Sequence, residues 1–417
     1  MNKLLTLFNP DCEAAIANGS PYYMPSANIV KMAKDLAVLP CWIYGQDAVV
    51  LGKGMSEYEL IESKMFISQM SELFNENFLF ISKAELSSCR DFVFEPWGVT
   101  PRELLDFKDC KNVEEWSEKK KYMYSRSFSR DILEYIKFPF IPSICSSLDE
   151  IIVANDLINK EPLYRDKKYN ADLTKFKVPN IDSSSEPMLC IAKAPWSSSG
   201  RGILQLSFPI TDKEKEWLRG VLKKQGFVML EHKFEKVYDF AMEFYLSKDE
   251  VKFMGLSEFK VGDNYEYKGN FVGNGKIIAN RLMQYVDGAS LSKIIDSLEV
   301  FLIQNIMGNY SGFLGIDMFV YKEGPDEFNV NPCVEINLRC NMGVVARMFS
   351  KKFLHKDNNG YFFIKFFSKS GEALDFHKQI MDKNKPEFKN QLLYSGYLNL
   401  TPVNKDTNFL AYVNIDK

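Results

Sequence analysis

Lys193 opens the stretch with the densest chemical potential in the chain, KAPWSSSGRG at 193–202. It follows the apolar run 188–192, which reads as a short buried strand. Glycines let backbone approach a ligand closely, serines offer hydroxyls and exposed amides, and lysine supplies a positive charge, so this composition suits a polyphosphate. A solvated Gly/Ser surface loop has the same composition. Two familiar phosphate loops are excluded. A Walker A loop places its lysine after the last glycine, whereas Lys193 comes first and Arg201 follows. A Rossmann fingerprint needs another glycine spacing and a helix starting at once.

Three acidic stretches lie downstream. The strand-like run 227–230 ends in Glu231 and His232, and Asp239 follows before a second strand, AMEFYLS. In GFLGIDMFVY, Asp317 stands inside an apolar strand, and in VEINLRCNMG, Glu335, Asn337 and Arg339 alternate along another. Alternation sets these three on one strand face. Charge on an apolar strand is costly unless paired or bound to metal. An Asp, a Glu and an Asn are oxygen ligands of the kind Mg²⁺ takes together with phosphate oxygens and water. The competing structural explanation is an ion pair between Arg339 and Glu335.

The elements that must position these residues follow from pattern and composition. With 417 residues the chain exceeds the size at which one core keeps growing, so two or three packed domains are expected. An apolar fraction of 46% with 26% charged residues is that of a globular protein. Fifty-two basic against 55 acidic residues leave a net charge of −3 with no basic block, which predicts small-molecule partners rather than nucleic acid or a membrane surface. Eight scattered cysteines without a C-x-x-C pair, no signal-peptide pattern and no run long enough to span a bilayer predict a reduced, cytoplasmic setting. Oligomeric state is not encoded legibly.

Strand-like runs at 3–8, 41–44, 78–81 and 91–94 alternate with helical spacing such as 26–36, as in a parallel α/β unit. Ligands meet such units at the loops leaving strand carboxyl ends, here 9–20 (with Asp11, Glu13 and Asn18) and EPWG at 95–98. A charged helical stretch, 112–136, is ended by Pro139 and Pro142. Segment 159–186 reads as a polar surface excursion. Later come a helix near 290–308, a strand pair around Asp317 and Glu335, and a terminal strand pair, YLNLTPV with NFLAYVN.

The order strand–Lys–Ser/Gly loop, Leu-Glu, acidic strand and Glu-Ile-Asn-x-Arg resembles the ATP-grasp superfamily, over roughly 118–350 by motif order. The expected fold is α/β, with α+β character in the ATP-grasp part. A parallel α/β pre-ATP-grasp domain (1–115) would precede a lid subdomain with the phosphate loop (116–235). A C-terminal subdomain with the metal site would follow (236–417), the nucleotide lying between two antiparallel sheets.

Carried over, the resemblance implies ATP and two Mg²⁺ ions. Lys193 would hold the α- and β-phosphates, and Ser197, Ser198, Ser199, Gly200 and Gly202 would form the loop closing over them. Glu231 would sit at the adenine edge, His232 beside it, Asp239 near the ribose, and Asp317, Glu335 and Asn337 on the metal. Arg339 would face a carboxylate or acyl phosphate. A helix lysine of the family is replaced by Arg126, and Cys340 and Met342 depart from the expected residues after the arginine. The implied activity is a carboxylate–amine ligase releasing ADP and phosphate from small-molecule substrates. An inactive ATP-binding sensor or assembly subunit and a small-molecule kinase are the alternatives.

Overall fold

The structure is a computed structural model that describes residues 3–86, 88–113, 115–160, 190–197, 202–262, 266–324 and 326–416. Segment 161–189, which holds most of the expected polar excursion, and Ser198, Ser199, Gly200 and Arg201 lie outside the described residues.

Strands β1 (Lys3–Thr6), β2 (Ala48–Gly52), β3 (Leu79–Ser82) and β4 (Phe92–Phe94) form a parallel sheet in the order β3-β2-β1-β4. The run 41–44, expected as a strand, is instead a buried helical turn, Cys41–Tyr44, and the strand comes at β2. A short apolar run has no period by which to tell the two apart, and Pro40 at the N-cap starts a helical turn. Between β2 and β3 runs the helix Glu57–Phe74, opened by a capping box in which Ser56 and Glu59 satisfy each other's backbone amides.

A small antiparallel sheet of β5 (Ser143–Cys145), β6 (Cys190–Lys193), β7 (Ile203–Leu206) and β8 (Val228–His232) has the order β5-β8-β6-β7. The third sheet is antiparallel and has nine strands. These are β9 (Lys236–Leu246), β10 (Val251–Val261), β11 (Tyr267–Val272), β12 (Gly312–Lys322), β13 (Phe328–Asn337), β14 (Gly360–Phe366), β15 (Glu387–Lys389), β16 (Leu392–Asn399) and β17 (Phe409–Ile415). Their order is β13-β12-β9-β10-β11-β14-β17-β16-β15, with the expected terminal strands paired as β16–β17. Asp239, expected in a connection, lies inside β9, because the alternating run starts at Lys236. The expected single helix at 112–136 is two, Glu118–Met123 and Phe128–Ile136.

The parallel sheet and the C-terminal strands share one core. Trp42 is fully buried against Phe74, Phe78, Phe349 and Phe353, and its indole N–H donates to the Leu400 carbonyl at 2.7 Å. A buried indole is stable only with such a partner. A second core lies under β9, β12 and β13, where Phe240, Met242 and Phe244 meet Leu298, Phe301 and Leu302 of the helix Gly288–Asn305. No helix among the described residues is long and apolar enough to cross a membrane.

Candidate active site

The antiparallel register brings the acids together. On β9, Asp239, Ala241 and Glu243 share one face; Asp317 on β12 stands opposite Ala241 on one side and opposite Glu335 of β13 on the other. Asn337 stands opposite Gly315, and its amide donates to Asp317 Oδ2 at 3.1 Å. This face floors a cavity of about 680 Å³, with Arg126, Asp239, Glu243, Asp317, Glu335 and Arg339 in its wall. The two loops expected to face a ligand supply another wall, through Pro10, Cys12, Glu13 and Trp97.

Those loops are fastened to the end of β13. Gly98 pairs with Arg339 as an isolated β-bridge, the Cys340 amide donates to the Trp97 carbonyl at 2.7 Å, and Asn9 makes two bonds to the Gly98 backbone. Gly98 must be glycine, since a Cβ there would lie 2.7 Å from the Cys12 sulfur. Asp11 turns instead to Arg102, 3.0 Å away, and Asn18 lines no part of the cavity.

Arg339 is clasped by Glu13 and donates to Asn337 Oδ1 at 2.9 Å. Burial alone would disfavour its charge, but Glu13 above all, with a smaller push from Glu335, holds it above its usual pKa. The pair that sequence offered as a structural explanation, Arg339 with Glu335, does not form. Glu335 faces Arg126 instead, with Nε to Oε1 at 3.2 Å, an ion-pair distance without hydrogen-bond alignment. Arg126 is only 3% exposed and also donates to the Ala194 carbonyl at 3.3 Å and the Ser197 carbonyl at 3.1 Å. It thereby ties the end of β6 to the acidic face.

On the small sheet, Lys193 and Glu231 are diagonal neighbours on one face and pair at 2.6 Å. Glu231 Oε1 is buried without a hydrogen-bond partner among the described residues. Gly202, at φ +69°, accepts from the Ala194 amide at 2.8 Å and closes the base of the loop; a Cβ there would meet Ser197 Oγ at 2.7 Å. His232 points away, its ring stacked on Phe140 and edge-on to Phe234, so its side chain serves packing. Asp239 lines the cavity and pairs with Lys236 at 3.1 Å.

Burial pushes Asp317 up to about 8, helped by the like charges of Glu335 and Glu243 and opposed by Arg339 and Asn337. Crowded acids of this kind favour a cation between them. Among the described residues no three His, Cys, Asp or Glu side chains stand together as a metal cluster. Two carboxylates and an amide leave most positions to phosphate and water, which is how Mg²⁺ is usually held, so the residues fit that ion.

Glu243 escaped the sequence reading. Burial pushes it up to about 7 against donors at 2.7 Å (Ser257 Oγ) and 2.9 Å (Asn341 Nδ2) and the charge of Arg339. An acid in the apolar run AMEFYL is the same signal that drew attention to Asp317. On β10, Glu258 turns to Arg281 and Tyr238, and Lys260 lies over the Tyr361 ring.

No protein-family model matches the chain, and no curated protein matches it. Solved structures do. The N5-carboxyaminoimidazole synthetase of Staphylococcus aureus in complex with ADP matches over 99% of this chain and 92% of its own, at 11% identity and a TM-score of 0.50. The corresponding synthase of Aspergillus clavatus, with ADP and 5-aminoimidazole ribonucleotide, matches over 99% and 94%, at 10% identity and the same score of 0.50. The chain has the ATP-grasp fold. Biotin carboxylase from Campylobacter jejuni shares this ATP-grasp architecture over 99% of this chain and 87% of its own, at 11% identity and a TM-score of 0.50. The mixed architecture expected from sequence, a parallel α/β sheet followed by two antiparallel sheets, is the architecture found.

Proposed function

We propose that the chain is an ATP-dependent carboxylate–amine ligase working through an acyl phosphate. The observation carrying this reading is the opposition of Asp317 and Glu335 across β12 and β13, with Asn337 beside them, on a cavity that also holds Arg126 and Arg339. Oxygen ligands and two guanidinium groups around one cavity suit phosphoryl transfer, where catalysis is mostly positioning and charge stabilisation.

In the proposed reaction, a substrate carboxylate oxygen attacks the γ-phosphorus of ATP, an O–P bond forms, the β–γ bridge bond breaks and ADP leaves. The amine nitrogen then attacks the acyl carbon, phosphate departs and the nitrogen sheds its extra proton. Lys193 and Arg126 would hold phosphate oxygens, Arg339 the substrate carboxylate, and Glu231 Oε1 would accept from the adenine amino group. Gly202, Ser197 and the loop between them would cover the phosphates, and Asp239 would meet the ribose. Bound to Asp317, Glu335 and Asn337, Mg²⁺ would neutralise the charge on the transferred group. Residues 1–115, 116–235 and 236–417 are assigned as the three corresponding units.

The test is a product assay with panels of acids and amines. ADP and phosphate release requiring both an acid and an amine supports the ligase. AMP and pyrophosphate would overturn it. A stable phosphorylated product would mark a kinase, and tight MgATP binding without turnover a sensor.

A further inference from the structure

The acids that line the cavity differ in one respect. Glu13 is paired with Arg339, Asp239 with Lys236, Glu266 with Lys268, and Glu335 with Arg126. Among the described residues only Asp317 and Glu243 have no cation in contact. Asp317 has an assigned use as a metal ligand, and Glu243 has none.

Glu243 is nevertheless the most elaborately housed of them. It is 1% exposed, and each carboxylate oxygen accepts one neutral donor, Ser257 Oγ on Oε1 and Asn341 Nδ2 on Oε2. Asn341 is held by its own task, capping the helix Met342–Lys352 through the Val344 amide. Two glycines make room: a Cβ on Gly343 would lie 2.2 Å from Oε1, and one on Gly315 2.7 Å from Oε2. Two neutral hydrogen bonds do not repay the burial of a full charge, and a carboxylate retains further lone pairs for a cation. The Arg339 guanidinium acts on it through charge without a hydrogen bond.

The neighbourhood describes what would carry that cation. On the sheet, β9 separates two flanks of the cavity. Towards β12 and β13 lie the acids assigned to metal and phosphate. Towards β10, β11, β14 and β17 the lining holds Phe259, Ile364, Phe366 and Phe409 beside the polar Ser257, Glu266 and Asn270, completed by Ile29 and Met32 of the helix Ala27–Asp35.

We infer that Glu243 binds the ammonium group of the acceptor substrate, a primary amine carried on an apolar body that lies against Phe259, Ile364, Phe366 and Phe409. The inference rests on the ligase reading and names its second substrate by class. An ammonium supplies three donors to lone pairs the protein leaves unused, and the burial of Glu243 strengthens the contact. Glu243 is here a specificity-determining residue that also takes the proton the ammonium must lose before its nitrogen can attack. Its depth also keeps hydrated metal ions, which shed water reluctantly, from competing.

Calorimetry of the full chain at pH 8, with and without saturating MgADP, tests this with hexylamine, hexanol and methylamine as probes. Hexylamine is expected to bind about tenfold or more tighter than hexanol, through a charge-assisted contact, and about tenfold or more tighter than methylamine, through the apolar wall. Glu243→Gln, which keeps shape and the Asn341 bond, is expected to abolish the preference over hexanol and leave hexanol binding unchanged. Equal binding of hexylamine and hexanol by the unaltered protein overturns the inference, as does a Glu243→Gln protein that keeps the preference. Failure to bind MgADP would count against the ligase reading, whereas normal MgADP binding with indifference to amines sinks only the assignment of Glu243.

Discussion

Arg126 and Glu335 lie within 3.2 Å of each other, one carried by the link between two helices and the other by β13. The residue assigned to phosphate and the residue assigned to metal thus neutralise each other across the cavity. A polyphosphate with its cation would give each a stronger partner of the same sign as the one it leaves, so the pair keeps the buried Arg126 charge tolerable until the ligand arrives.

Glu335→Gln is expected to fold and to lose turnover by orders of magnitude, since the carboxylate acts on charge that develops during phosphoryl transfer. Arg126 keeps its bonds to Ala194 and Ser197, and Arg339 keeps Glu13 and Asn337. The fold should therefore survive, with a melting temperature lowered by a few degrees because the buried Arg126 loses its counter-charge. A thermal melt beside an ADP-release assay decides the matter, and a folded, fully active variant would remove Glu335 from the metal site.

Lys193→Ala removes a charge from the end of β6 and leaves Glu231 without its partner. Charge-assisted contacts are worth about 1.5–3 kcal/mol, so MgADP affinity should fall roughly tenfold or more. Unchanged affinity by calorimetry would mean that the lysine serves only Glu231.

Glu13→Ala leaves the Arg339 guanidinium without its carboxylate in a largely buried setting. Breaking such a pair typically costs about 3–5 kcal/mol, and partial solvent access here brings the expectation to roughly 2–3 kcal/mol. Urea denaturation with an unchanged slope should register the loss. Glu13→Gln, which retains an acceptor for Arg339, should recover part of it.

The pH dependence of stability isolates Glu243. Its carboxyl is raised from 4.5 to about 7 in the folded chain, chiefly by burial, so the folded state holds a proton that the unfolded state has released. Stability from this group therefore falls as pH rises from about 4.5 to about 7, and the deficit persists above that. Glu243→Gln should melt higher than the unaltered protein at pH 8, by a few degrees, with the difference fading towards pH 4.5. A difference independent of pH would show that shape rather than charge is responsible.

Gly343→Ala tests the room made for that carboxylate. The new methyl would stand 2.2 Å from Glu243 Oε1 and 2.5 Å from Ser257 Oγ, so side chains must move in a packed interior. Overpacking of this kind costs about 1–3 kcal/mol. A variant as stable as the original, measured by thermal melt, would mean that Glu243 has a second position at no cost.

The local chemistry of the acidic face was legible in sequence because charged residues interrupt apolar strands at an interval of two, and that interval survives into any sheet. Glu335, Asn337 and Arg339 were found this way, Asp317 as a charge inside an apolar strand, and the lysine at the end of β6 by the Ser/Gly composition of the loop behind it. Partners were another matter. In sequence the competing structural explanation for Arg339 was a pair with Glu335, four residues away, whereas it takes Glu13, 326 residues distant, because β1 and its loop dock against the end of β13. Glu243 went unread for a related reason: its meaning depends on Gly315, Ser257, Asn341 and Gly343, which come from two strands and one capped helix and meet only when β9, β10 and β12 are in register with the helix Met342–Lys352 above them. Likewise 41–44 turned from strand to helix, since four apolar residues carry no period and the fold chose according to how Trp42 could be buried. Periodicity is a property of the chain and can be read along it, whereas ion pairing and the vacancy of a cavity are fixed by distances between segments, which only the folded chain defines.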